Sequence, residues 1–277
     1  MSSQPEYVFT RDFHDNNRIN LQHNQWIQLF GYHLHPQIPI DKPNLRVADV
    51  GTGTGIWLTD LSASLPASAK LDGLDISLEA LPPLDLIPSN VSFRHFDIKN
   101  DIPQELIGAY DVVHVRLLIF VVLNEEISAV VRHIAKLLKP GGYLQWGEID
   151  MASFRVEKTQ PNGKTEALSR LYKLLQKQDS RLVPTWVSHL EQLLTDAGLC
   201  STHVDKRNAT GCLAFAMHEC NMMVPEGLAR GTGSAALSKE LQKLMSDVAI
   251  ETRDGAWWGF TRWTVVGNKP LRREPML

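Results

Sequence analysis

Cysteine is scarce in this chain. Three occur in 277 residues, Cys200, Cys212 and Cys220, with no C-x-x-C spacing. That set excludes a disulfide framework and predicts reduced thiols in a cytoplasmic protein. A basic excess is missing too. Formal net charge is −3 and no long Lys/Arg run occurs, so nucleic acid is not an expected partner. The longest apolar run, Val112–Leu123, is interrupted by His114 and Arg116 and is too short for a bilayer, so no membrane partner is expected. The opening residues, MSSQPEYVFTRDF, are polar and carry no secretory hydrophobic region. H-x-x-x-H, D-x-D and clustered Cys/His spacings are absent, so no metal is expected; His33 and His35, two apart in a proline-rich linker, are a weak signal. No G-x-S-x-G elbow supports a nucleophilic triad. Internal repeats and low-complexity segments are absent as well.

What is present is ordinary for one globular domain: 43% hydrophobic and 21% charged residues. The informative stretch is LRVADVGTGTGIW, Leu45–Trp57. Alternating Leu45, Val47 and Val50 predict a short buried strand. Asp49 and three glycines spaced by two, Gly51, Gly53 and Gly55, follow with Thr52 between them. IWLTDLSASL then has helical spacing. Strand, glycine turn and helix begin a doubly wound nucleotide-binding domain. A dinucleotide fingerprint G-x-G-x-x-G would need its third glycine where Ile56 stands, and no G-K-[ST] follows, so a P-loop is excluded.

Along the chain, Arg11 to Gly31 repeats apolar residues (Ile19, Leu21, Trp26, Ile27, Leu29, Phe30) and predicts one or two helices. HLHPQIPIDKP is a linker. KLDGLDIS is a second strand ending near Asp75, roughly 20 residues past the loop. A carboxylate there suits a ribose diol, or else caps the next helix. SLEALPPLDLIPSN holds too many prolines for a long helix, and VSFRHFDIK is a third strand. YDVVHVRLLIFVV is the central strand, buried on both faces. Period two puts Val112, His114 and Arg116 on one face, where His114 is either a site residue or a histidine bonded to backbone. Ile127, Val130, Val131, Ile134 and Leu137 or Leu138 form a helical stripe that Pro140-Gly141-Gly142 stops. In the next strand Trp146, Glu148 and Asp150 share a face at the carboxyl end. TEALSRLYKLLQKQ, WVSHLEQLLTDAGL and two segments in 211–252 read as helices; THVDKRNA reads as an edge strand and Trp263–Val266 as the last strand.

The D-x-G-x-G-x-G loop, Asp75, Asp97 and L-L-K-P-G-G-Y-L together resemble the class I S-adenosylmethionine-dependent methyltransferases over about residues 45–150 and again near 186–268. Closer still, Tyr7, Arg11, RINLQH at 18–23, HVRLL at 114–118 and GGYLQW at 141–146 are similar to fungal secondary-metabolite methyltransferases. The resemblance includes the N-methyltransferases of epipolythiodioxopiperazine (gliotoxin-type) pathways. It implies an α/β fold: a Rossmann-like, doubly wound seven-stranded sheet with an antiparallel last strand. One domain would span 1–277, with a helical cover in 1–43 and lid helices in 151–185 and 211–252.

The cofactor implied is S-adenosylmethionine. The cofactor residues expected are Tyr7, Arg11, Asp49, Gly51, Thr52, Gly53, Gly55, Asp75, Ile76, Asp97, Ile98 and Arg116. Asp97 would bond the adenine amino group, with Ile76 and Ile98 packing on the ring. The partner implied is a small molecule, most simply an amide nitrogen of a cyclic dipeptide. Trp26, Leu118, Trp146, Tyr172 and Met222 are expected to line its pocket. An amide nitrogen is a poor nucleophile, so a base is sought. Glu148 is the first candidate, against the alternative that it bonds backbone; His114 and His23 are the others. The same group also contains O-methyltransferases, pericyclases that bind S-adenosylmethionine without consuming it, and a regulator of secondary metabolism.

Overall fold

The computed structural model describes residues 11–271. Helix α1 (Phe13–Phe30) is opened by Asp12, whose side chain accepts from the N–H groups of His14 and Asp15 at 3.0 Å. Gly31, at φ 75°, closes it in the left-handed region. One helix forms where one or two were expected. Its inward face is largely polar: Asp15, Arg18, His23 and Gln25 are buried beside Trp26 and Phe30. A helix lying on an apolar core shows an apolar stripe; α1 joins the main core only through its C-terminal end, at Trp26, Leu29 and Phe30, and meets polar partners before that.

The sheet then begins with β1 (Arg46–Val50), α2 (Ile56–Ser62), β2 (Lys70–Asp75), β3 (Val91–His95) and β4 (Tyr110–Arg116). The prolines between β2 and β3 leave room only for a 3-10 turn at Leu84–Leu86. The chain continues through α3 (Ile127–Leu137), β5 (Leu138–Lys158), α4 (Glu166–Gln176), α5 (Leu190–Asp196) and β6 (Cys200–Asn208). It ends with α6 (Gly211–Gly231), α7 (Ala235–Arg253) and β7 (Ala256–Asn268).

Seven strands form one sheet in the order β3-β2-β1-β4-β5-β7-β6. Strands β1 to β5 run parallel, and β7 is antiparallel to both β5 and β6. Strand order reverses between β1 and β4, which places a crevice beyond their carboxyl ends. Trp57, Leu58 and Leu61 of α2 pack in the core on one face. The α3 stripe and Leu190 and Leu194 of α5 pack in the core on the other. Both faces of the buried β4 are thus covered, as its near-continuous apolar run requires.

Two segments differ from the sequence reading. Residues 151–158, expected within the lid segment 151–185, continue β5, and β7 starts at Ala256 rather than near Trp263. The two strands pair as far as Lys158↔Ala256 in a long antiparallel ribbon. Alternating Phe154 and Val156 suit a strand once a partner is present, and that partner is about 100 residues away. Helix α6 packs on α1, where Gln25 Nε2 donates to the Ala216 carbonyl at 3.0 Å. It therefore buttresses α1. Among the described residues no helix is long and apolar enough to cross a membrane.

Candidate functional site

The crevice at the strand reversal opens into a cavity of about 1380 Å³, its open mouth included. The glycine loop forms its floor. Gly51, Gly53 and Gly55 all have φ between 55° and 73°, a region L side chains rarely adopt. Gly51 N–H donates to the Leu74 carbonyl and Gly53 N–H to Asp75 Oδ2, each at 2.8 Å, so the loop is tied to the end of β2. A Cβ on Gly51 would stand 3.1 Å from Leu118.

Asp49, at the end of β1, joins the loop to β4. Its Oδ2 accepts from Thr52 Oγ1 at 2.8 Å and its Oδ1 lies 2.7 Å from His114 Nδ1. All three residues are buried. A carboxylate only accepts, so Nδ1 carries the proton and Nε2 of a neutral His114 holds the lone pair. Burial lowers the His114 pKa, against the pull of Asp49. Trp57 stacks on the imidazole at 3.7 Å between ring centres and fixes its plane.

Arg116 projects from the end of β4. Its Nη2 donates to His23 Nδ1 at 3.1 Å, while Nη1 is out of solvent with no hydrogen-bond partner among the described residues. Burial lowers its pKa to about 10, so it stays charged at neutral pH. An orphaned guanidinium N–H in a cavity wall suits an anionic ligand group such as a carboxylate. Asp75 is burdened by burial, which raises its pKa despite N–H bonds from Gly53 and Ser77. Each oxygen keeps a free lone pair for a hydroxyl. Asp97 accepts from Lys99 N–H and from the Asn100 side chain.

The cavity brings together Arg11, Asp49, Gly51, Thr52, Gly53, Asp75, Ile76, Asp97, Ile98, His114, Arg116 and Leu118, all expected site residues. Tyr7 lies outside the described residues. Others are placed elsewhere. Gly55 begins α2 and serves packing, since a Cβ there would meet the Phe93 ring at 2.6 Å. Trp26, expected against substrate, is 5% exposed and presses on Gly147, where a Cβ would stand 2.8 Å from its ring. Trp146 is fully buried, edge-on to Trp186. Met222 packs on the main core. Tyr172 lines a second chamber and stacks on Phe154 at 3.6 Å.

Glu148, the first candidate base, does not line the cavity. It is fully buried behind Leu118, and its Oε1 accepts from Leu118 N–H and Trp146 Nε1, each at 2.8 Å. Burial pushes its pKa up to about 8. The bond to Leu118 holds the turn after Leu117, a non-glycine at φ 59°. Glu148 thus shapes the cavity wall from behind.

His23 does not line the cavity either. Its Nε2 lies 2.9 Å from Asp60 Oδ2, and His33 Nε2 lies 2.7 Å from the same oxygen. His33 read only as a weak signal beside His35; the fold instead groups it with His23 and Asp60, the kind of cluster that could hold a metal. Arg116 argues against that use. A guanidinium only donates, so His23 Nδ1 must accept, and Nε2 then carries the proton that a metal would displace. The cluster is a hydrogen-bond chain from Arg116 to the surface. Unpredicted as well were Asn20, whose Oδ1 accepts from Thr54 Oγ1 at 2.7 Å, and Arg18, paired with Asp15 at 2.6 Å. The R-x-N-x-Q-H string that contains them was visible, but its contacts were not.

The strand order, the antiparallel β7 and the glycine loop at the reversal point define the class I methyltransferase architecture. The chain belongs to the family described as "Methyltransferase domain", whose profile matches residues 24–204. It is similar to the methyltransferase grgD of Penicillium sp, 38% identical over 145 residues, 50% of each chain. It is also similar to the N-methyltransferase gliN of Aspergillus fumigatus, 34% identical over 147 residues, 53% of this chain and 51% of the relative. The chain thus spans about half the length of the curated relatives it matches. The solved [4+2]-cyclase SpnF superposes with a TM-score of 0.52 at 16% identity, over 98% of this chain and 100% of that one, which concerns the fold alone.

Proposed function

We propose that this chain is an S-adenosylmethionine-dependent methyltransferase of fungal secondary metabolism, and that its acceptor is an amide nitrogen of a cyclic dipeptide. The carrying observation is what converges on one cavity at the strand reversal: the unpartnered Arg116 Nη1, the outer lone pairs of Asp75 and the glycine loop tied to the end of β2. Asp75 would accept the ribose hydroxyls, Asp97 the adenine amino group, and Arg116 would donate to the carboxylate of the methionine end. The bound cofactor would supply a sulfonium methyl whose carbon an acceptor lone pair attacks in line, with S-adenosylhomocysteine as the leaving group. The nitrogen character of the acceptor is supported by similarity to the N-methyltransferase gliN.

The chain's own work is orientation, exclusion of water and custody of a proton. Methylating an amide N–H forms an N–C bond, breaks a C–S bond and frees one proton. His114 is the histidine that lines the cavity, and Asp49 orients it as a carboxylate orients the imidazole of a hydrolytic triad. We assign the proton to His114 Nε2 rather than to Glu148. The test is calorimetry with S-adenosylmethionine and NAD, followed by single-turnover methyl transfer to cyclic dipeptides. S-adenosylmethionine should bind and NAD should not. Binding of NAD alone would sink the proposal.

A further inference from the structure

Beyond the cofactor cavity, β5, β7, α4 and α6 enclose a second chamber of about 470 Å³, its mouth included. Its wall is largely apolar and includes four aromatic rings, Phe120, Tyr172, Trp258 and Phe260. Phe120 lines the cofactor cavity as well, so the two spaces meet at one side chain. Gln176 of α4 and Asn221 of α6 interrupt the apolar lining, and Asn221 is the one with an unpartnered amide. Its Nδ2 is out of solvent and has no hydrogen-bond partner among the described residues. Native structures rarely leave such an amide unpaired unless a ligand or water serves it.

The backbone beside it is also short of a partner. Pro225 stands inside α6 and has no N–H, so the Asn221 carbonyl four residues earlier lacks its ordinary helical donor. Asn221, Val224 and Pro225 fall on one flank of the helix by their spacing. Residue 221 therefore pairs an unpartnered side-chain donor with a carbonyl that lacks its ordinary helical donor. A ring lactam is the complement: its cis amide holds C=O and N–H side by side on one edge.

We propose that this chamber is the acceptor's site and that Asn221 grips one lactam edge of a cyclic dipeptide. The opposite edge, with the nitrogen to be methylated, then faces the cofactor past Phe120, and apolar ring substituents rest on Tyr172, Trp258 and Phe260. This rests on the cyclic-dipeptide reading given above.

The test uses the full chain loaded with S-adenosylhomocysteine, so that nothing turns over, and cyclo(L-Phe-L-Phe) as probe in calorimetry. Wild type should bind it. Asn221→Leu should weaken binding roughly tenfold or more, the range for a lost buried hydrogen bond. Val224→Trp should block the chamber and abolish binding. Both variants should melt cooperatively and keep their affinity for S-adenosylhomocysteine. If wild type binds the probe and both variants bind it equally well, the acceptor sits elsewhere, and the cyclic-dipeptide reading survives alone. Blocking by Val224→Trp with no effect of Asn221→Leu would overturn the role of Asn221. If wild type binds no cyclic dipeptide in any assay, that reading falls and this inference with it.

Discussion

At the scale of single residues, Glu148 and His114 divide what the sequence joined. In the sequence both read as bases at the carboxyl end of a strand; in the structure His114 lies near the end of β4, whereas Glu148 lies midway along β5. Burial raises the Glu148 pKa to about 8. A carboxyl with a folded pKa above its unfolded value binds more protons when folded. Its contribution to stability is full below the unfolded pKa near 4.3 and is lost as pH rises through about 8. Glu148→Gln mimics the protonated acid, so it should flatten the fall of melting temperature between those limits. Methyl transfer at neutral pH should stay within severalfold of wild type. A loss of 10²–10⁴-fold, the usual range for general-base catalysis, would return Glu148 to the role of base. His114 is the reverse case. Its pKa is lowered by burial, so the neutral base is already formed at pH 7. Methyl transfer should be flat above pH 6.5 and fall only on the acid side. His114→Gln should cost about 10²–10⁴-fold in single-turnover rate. A variant with unchanged rate would leave orientation alone to account for catalysis.

At the scale of elements, α1 forms one wall of the cavity. Its polar buried face makes sense only with its partners in place: Asn20 on Thr54, and His23 between Arg116 and Asp60. Desolvation first, and then Arg116, lower the His23 pKa to about 4. The closed cover therefore favours neutral His23. Its contribution is full above the ordinary value near 6.5 and is lost as pH falls toward 4, because imidazolium cannot accept from Arg116 and repels it. Stopped-flow dissociation of S-adenosylhomocysteine should be faster at pH 5 than at pH 7. His23→Ala should raise the neutral-pH rate by roughly tenfold, in the range for hydrogen bonds to charged groups, and remove the pH dependence. A rate that ignores both pH and substitution would mean that α1 is not the gate. The elements legible in the sequence were those whose signal is internal. The glycine loop, the α3 stripe and the apolar β4 each carry their period within a dozen residues. Residues 151–158 do not, because Phe154 and Val156 read as strand only opposite β7. Trp26 and Trp146 looked like pocket aromatics because spacing shows a face but not what covers it.

At the scale of the whole molecule, the cofactor cavity joins three parts of the chain. Arg11 and Ile19 come from the cover, Gly51 to Gly53 from the loop, and Leu117 to Val121 from the turn after β4. A ligand seated there touches all three and binds only the folded state. It should therefore stabilise the chain by about 2.7 kcal/mol at a hundredfold excess over its Kd. For a domain of this size that is a rise in melting temperature of roughly 5 °C or more. Gly53→Val isolates the cause. Gly53 holds φ 55° with Ile19 of the cover 3.6 Å from where its Cβ would be. A β-branched side chain is strained in that conformation and would press on the cover at the same time. Backbone strain should cost about 1–3 kcal/mol of apo stability, leaving the variant folded. The rise with S-adenosylmethionine should disappear, because the loop N–H groups would no longer lie in place and the cover would no longer close. The measurement is a pair of thermal melts for each protein, with and without S-adenosylmethionine. A variant that S-adenosylmethionine stabilises as strongly as wild type would show that the cofactor does not rest on this loop. The site would then have to be sought away from the strand reversal.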